Sequence, residues 1–218
     1  METRFLMTRA AAVAVDIVRG IGPDALDLPT PCPGMRTGVL VNHLIEFTGE
    51  PAQAAGRKQP PSARDDTVRG QRDDTVRDHT ARDHTARARD LTAEPDRAEE
   101  FALQAAETAA VWSTPEAWTG ETALAGTARM PARFIGGIVR GEWLLHGWDL
   151  AVATGQEAAV DEELAAALYE DIAGKADMAR KYGVFGPEVA VAPTAPLFHR
   201  ALGLAGRDPA WRRPAGRR

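Results

Sequence analysis

The run from Ala132 to Ala153 constrains the fold of this chain more than any other segment. Apolar residues dominate it and Thr154-Gly155 follows as a helix stop, so the run predicts a long, mostly buried helix. Glu142 and His146 lie within it, four positions apart, which places both on one helical face, one turn apart. A carboxylate on a mostly buried helix needs a partner, because unpaired burial is costly.

Two kinds of partner would satisfy Glu142. One is an arginine, and the other is a divalent metal of the zinc type, which accepts histidine nitrogen and carboxylate oxygen. The four-residue spacing alone does not separate these two interpretations. A catalytic metal site commonly uses three protein ligands and leaves one position open, so the Glu142 and His146 pair asks for one more ligand. The best candidate is His43, in the helical run from Val39 to Phe47.

The remaining apolar patterns also predict helices, and the fold class is all-α. Four longer helices with short or flexible connections fit an antiparallel bundle, which builds metal sites from inward side chains on facing helices. Residues 118–131 are predicted to be extended or looped between glycine and proline residues. The other predicted helices span residues 2–19, 37–55 with a possible interruption near Gly49 and Pro51, 98–112, 161–182 and 196–204.

Residues of about 60–92 form a low-complexity insertion in this pattern. The sequence RDDTVR occurs at 64–69 and 72–77, and RDHTA occurs at 77–81 and 82–86. The segment is charge-dense and nearly free of large apolar residues, so a mobile loop is its default interpretation, with a solvated helix as the alternative. We expect limited proteolysis to cut here first.

Composition excludes several function classes. The net charge of −5 is opposite to that of a nucleic-acid-binding face, so no nucleic-acid partner is expected. A single cysteine, Cys32, excludes an internal disulfide and suits a reducing compartment. No stretch approaches the ~20 apolar residues that a membrane helix needs, and the N-terminus has no signal-peptide pattern. We expect a cytoplasmic protein without a membrane partner.

Two signatures carry a resemblance to a known family. The first is Leu28–Met35, with the motif LPTPCPGM, followed by the Leu40–Leu44 run that contains His43. The second is Glu142–Leu150, in which Glu-x-x-x-His-Gly-Trp-Asp-Leu is followed by Ala151 and Thr154-Gly155. Together they resemble the mycothiol-dependent maleylpyruvate isomerase family of DinB-like metal-binding four-helix bundles. A third, weaker similarity consists of Phe185-Gly186-Pro187, followed by Ala195-Pro196 and by Leu202–Pro209.

The resemblance implies a DinB-like four-helix bundle with short extra segments and a metal held by His43, Glu142 and His146. Zinc is favoured, and nickel or iron accept similar ligands. It also implies mycothiol as co-substrate, in a transferase or isomerase-like enzyme whose metal-bound thiolate attacks a small electrophile. The alternative is a non-catalytic helical module that binds a metal or another ligand. The bundle would span residues 1–182 and act as a monomer or homodimer.

The resemblance has two departures. Met35 stands where the family usually has tryptophan. The isomerases that define the family carry an additional C-terminal domain, whereas about 36 residues follow Tyr182 here. Residues 183–218 are therefore expected to be an extension that packs on the bundle and ends in a basic, frayed tail from Arg207. The metal bundle is better supported than the isomerase reaction.

Two residues near the predicted ligands have open roles. Asp149 follows His146 by three positions and is a candidate acceptor for the second ring N–H of a ligating histidine, or else a partner for an arginine. Cys32 lies in the proline-rich loop, where a buried and inert thiol is the expected outcome.

Overall fold

The computed structural model describes residues 3–58, 96–124 and 128–214, and these form an all-α bundle, as the sequence predicts. The predicted low-complexity insertion and the last four residues of the basic tail lie outside the described residues. Two short strands, β1 (Glu121–Thr122) and β2 (Met130–Pro131), pair antiparallel within the predicted extended region. The helices are α1 Thr3–Arg19, α2 Thr37–Thr48, α3 Glu50–Gly56, α4 Arg97–Trp112, α5 Ala132–Thr154, α6 Glu162–Ala173, α7 Ala176–Lys181 and α8 Leu197–Leu204.

Helices α1, α2, α4 and α5 form the bundle, with α1 packed against α4 and α5, and α2 against α5. The inward face of α1 shows why: its buried residues recur every three or four positions, which makes one apolar stripe. They include Met7, Ala10, Ala14 and Ile17. Helix α6 packs on α5 and on α8, so the C-terminal part of the described chain covers the outer side of α5.

Helix α5 is buried along almost its whole length, as the sequence predicts. Gly136 allows two tryptophans to pack against it, because a Cβ atom there would lie 2.6 Å from the Trp118 ring and 2.8 Å from the Trp112 ring. The helix ends at Thr154, where Gly155 adopts the left-handed conformation with φ of 77°. Glycine adopts this conformation without a Cβ penalty, so the predicted helix stop is confirmed.

The helical path confirms one predicted interruption and shows a second one that was not predicted. The predicted interruption near Gly49 is confirmed, since α2 ends at Thr48 and α3 begins at Glu50. The freed carbonyl of Thr48 accepts a 2.7 Å hydrogen bond from the Thr108 hydroxyl of α4. The single helix predicted over 161–182 is wrong, because the chain breaks between α6 and α7 at Gly174, a residue with low helix propensity.

No helix among the described residues is both long enough and apolar enough to cross a lipid bilayer.

Leu144 tests whether the buried face of α5 carries the stability of the bundle. Its side chain is fully buried, whereas Leu103 on α4 is 69% exposed. We expect Leu144→Ala to lower the free energy of unfolding by about 2–5 kcal/mol, because it leaves a cavity. Leu103→Ala is the matched control and should change it by less than about 0.5 kcal/mol. Urea denaturation measures both, and equal losses would contradict this packing.

Candidate metal centre

The structure brings His43, Glu142 and His146 together between α2 and α5. Helix α2 supplies His43, and one face of α5 supplies the other two. One carboxylate oxygen of Glu142 lies 2.9 Å from His43 Nε2 and 3.3 Å from His146 Nε2. The two imidazole rings meet nearly edge to face, with centroids 5.1 Å apart. The sequence predicted this set, and packing of α2 on α5 places its three donor atoms within 4.8 Å of one another.

The three side chains are largely buried but reachable. Their exposed fractions are 14% for His43, 20% for Glu142 and 10% for His146. Phe47, one turn after His43, stacks on its ring with centroids 5.7 Å apart. Such a setting restricts water around the polar atoms, and it strengthens electrostatic interactions among them.

Asp149 lies behind His146, on the side away from Glu142. Its carboxylate is fully buried, and Oδ2 lies 3.0 Å from His146 Nδ1. In the hydrogen bond between them the ring N–H donates, which leaves Nε2 on the side of Glu142 and His43. This is the arrangement that orients a ligating histidine in many metal sites. The sequence left two roles open for Asp149, as acceptor for a histidine N–H or as partner of an arginine. The structure shows both, since Arg207 Nη2 also donates to Oδ2, at 3.1 Å.

Arg207 is a residue that sequence reasoning missed. It was expected to begin a solvated, frayed tail, but its side chain is only 10% exposed. The tail is rich in arginine, and this composition did not indicate that Arg207 would be buried. Arg207 is buried because the carboxylate of Asp149 needs a cationic partner in the core, and the Arg207 guanidinium supplies it.

Cys32 is the second residue whose setting was not foreseen. The proline-rich loop holds it beside the site, with its backbone N–H donating to Thr30 Oγ1 at 3.2 Å. The thiol is only partly buried, and its sulfur lies within 4.8 Å of donor atoms of His146 and Asp149. The expected burial of this thiol is therefore wrong, because the residue is partly exposed, while its inertness stays a prediction.

Mutual interactions set the protonation of the cluster. Burial alone would raise the pKa of Glu142, but the charge and hydrogen bonds of His146 and the hydrogen bond of His43 outweigh it and hold that pKa well below its ordinary range. Burial lowers the pKa of His146, yet the Glu142 carboxylate and the Asp149 and Cys32 hydrogen bonds raise it well above the usual value. Burial would raise the pKa of Asp149, but the charges and hydrogen bonds of Arg207 and His146 outweigh it and lower that pKa.

The donor chemistry fits a divalent metal ion. The Nε2 atoms of His43 and His146 converge on one carboxylate oxygen of Glu142. A divalent cation of the zinc type takes this combination of nitrogen and oxygen ligands. Three protein ligands leave one coordination position for a small molecule.

Comparison with known proteins places the chain in a family. The family model of the mycothiol maleylpyruvate isomerase N-terminal domain matches residues 7–151, which is more than half of the chain and includes His43, Glu142 and His146. Neither the curated proteins nor the solved structures gave a significant match. The matched range covers the bundle and nearly all of α5, the elements that carry the candidate site. The chain belongs to the mycothiol maleylpyruvate isomerase N-terminal domain family.

Proposed function

We propose that this protein is a metal-dependent enzyme that uses mycothiol as a small-molecule thiol, in a transferase or isomerase-like reaction with an electrophile. His43, Glu142 and His146 would hold the metal. When bound, a divalent metal deprotonates a coordinating thiol, and the thiolate is the reactive nucleophile. The observation that carries the proposal is the convergence of the His43 and His146 Nε2 atoms on one Glu142 oxygen. The chain in which they converge belongs to the mycothiol maleylpyruvate isomerase N-terminal domain family.

The residues of the chain make four contributions to this chemistry. Glu142 contributes the negative charge that offsets a dication, while the two histidines contribute neutral nitrogen donors. Asp149 accepts from His146 Nδ1 and so keeps His146 Nε2 turned toward Glu142. The buried faces of α2 and α5 restrict water, which favours a thiolate that reacts with an electrophile over one that is hydrated.

Metal content is the first test. We expect about one divalent metal per chain in the purified protein, with zinc favoured because mixed nitrogen and oxygen ligation suits it. His43→Ala should lower metal affinity by more than about 100-fold, since even outer-shell partners contribute 10- to 100-fold. His199→Ala, at an exposed histidine on α8, is the matched control and should keep full occupancy. Elemental analysis after tag removal measures occupancy, and circular dichroism checks the helical fold.

Full occupancy in the variant that replaces His43, Glu142 and His146 with alanine would reject this metal site.

Proton release is the second test, and its sign follows from His146. The raised pKa of His146 keeps the metal-free imidazole protonated at neutral pH, so metal binding must expel that proton. Apparent metal affinity should therefore rise with pH, by up to about tenfold per unit for one proton. Calorimetry in buffers of different ionisation enthalpy counts the protons released.

Asp149→Asn is the informative variant for this test. It replaces the charged acceptor of a hydrogen bond that raises the pKa of His146 with a neutral amide oxygen, so fewer protons should leave on metal binding at neutral pH. Metal affinity that does not change with pH in the wild type would contradict the assignment of His146 as a ligand.

Thiol binding is the third test. We expect metal-loaded protein to bind mycothiol through its sulfur, and cobalt-substituted protein to gain a near-ultraviolet thiolate-to-metal absorption band. The matched ligand control is S-methyl mycothiol, which offers no ionisable thiol and should give no band. Cys32→Ser is needed in parallel, because the protein's own thiol lies close to His146.

One joint result would reject the enzyme and leave a binding module in its place. Calorimetry would detect no mycothiol binding by the metal-loaded wild type, and the Glu142→Gln variant would behave identically.

A further inference from the structure

We propose that Arg207, from the segment after α8, is a positioning residue for the metal site and acts through Asp149 on His146. The inference rests on the proposed metal site and extends it to a part of the chain beyond residues 7–151, the range that the family model matches. The guanidinium of Arg207 donates hydrogen bonds to Ala205 O and Asp149 Oδ2, neither of which belongs to a predicted ligand. Its effect passes through two hydrogen bonds that share one carboxylate oxygen, Asp149 Oδ2.

The fold delivers Arg207 to this place with little freedom. Gly206 precedes it in the left-handed conformation, with φ of 76°, and a Cβ atom there would lie 2.9–3.1 Å from the backbone of Gly186. The backbone N–H of Arg207 donates to Leu202 O at 2.9 Å. Its Nη1 donates to Ala205 O at 3.0 Å, which leaves Nη2 for Asp149. The guanidinium is therefore aimed by a tight turn at the end of α8.

Asp149 depends on this guanidinium because its carboxylate is fully buried. The same oxygen accepts from Arg207 Nη2 and from His146 Nδ1, while Oδ1 has no hydrogen-bond partner among the described residues. A buried carboxylate that loses its cationic partner is strongly destabilised, so it would reorient or recruit another donor. Either change alters the acceptor that His146 Nδ1 faces.

The orientation of His146 then links Arg207 to the metal site. With Nδ1–H held by Asp149, the Nε2 atom stays on the side of Glu142. Outer-shell hydrogen bonds of this kind typically contribute 10- to 100-fold to metal affinity. We therefore expect Arg207→Met to weaken metal binding by about 10- to 100-fold, although it removes no ligand.

A residue that merely holds the C-terminal segment would act differently, and Arg180 provides the comparison. Its Nη1 donates to Leu204 O at 2.8 Å, so it anchors the end of α8 without touching Asp149. Arg180→Met should destabilise the same segment while leaving metal affinity within twofold of the wild type. Chelator competition measures affinity in both variants, and urea denaturation measures the stability of each.

The ring proton of His146 gives a second readout that a purely structural role would not move. A buried carboxylate protects the Nδ1–H from exchange, so the wild type should show a slowly exchanging, downfield imidazole proton resonance. We expect Arg207→Met to lose this resonance and Arg180→Met to keep it. Arg207→Lys retains the charge but not the forked geometry, so it should restore part of both affinity and resonance.

The outcomes separate this inference from the proposed function. If the wild type binds no metal, the metal site fails, while the Nδ1–H resonance still tests Arg207 in the metal-free protein. If the wild type binds metal and Arg207→Met keeps both affinity and resonance, the positioning role is overturned. Should Arg207→Met not fold, the Arg207→Lys and Arg180→Lys pair repeats the comparison, and equal metal affinities in that pair would overturn it.

Discussion

The burial of α5 is the constraint on which the rest of this structure depends. The helix lies inside the molecule along nearly its whole length, and yet it carries Arg140, Glu142, His146 and Asp149. Charged groups taken out of water are costly unless each finds a partner of opposite charge with good geometry. The elements packed around α5 therefore supply the partners for these charged side chains, and each element contacts a different position on the helix.

Three surrounding elements supply these partners. Helix α6 brings Asp171, which accepts from Arg140 Nη2 at 2.6 Å. Helix α2 brings His43 to Glu142 at 2.9 Å, and the segment after α8 brings Arg207 to Asp149 at 3.1 Å. The three contacts differ in the chemistry that they could support. The Arg140 guanidinium donates to Asp171 through Nε and Nη2, which makes a simple ion pair. The Glu142 cluster instead gathers two histidine nitrogens around one oxygen and so suits a shared cation.

The position of the site on helices matters for its chemistry. Ligands held by packed helices keep their geometry better than ligands on loops, because the neighbouring side chains lock their rotamers. Behind the candidate ligand His146, Asp149 and Arg207 continue the hydrogen-bond chain into the C-terminal part of the described residues. The proline-rich loop closes another side and brings the Cys32 thiol next to His146. The candidate site is thus bordered by a buried carboxylate, a guanidinium and a thiol.

Local patterns in the sequence determined the helical class, the break at Gly49, the stop at Gly155 and the common face of Glu142 and His146. These follow from helix periodicity and glycine conformation, which act over a few residues. Tertiary structure alone decided which distant groups meet, since His43 and Glu142 are 99 positions apart, and Asp149 and Arg207 are 58 apart. His43 entered the predicted set through the Leu40–Leu44 run and a family resemblance, whereas the weaker similarity that includes Arg207 assigned that residue no role. Its inward turn depends on Gly206 packing against Gly186, and on the buried charge of Asp149, and no short stretch of sequence encodes either.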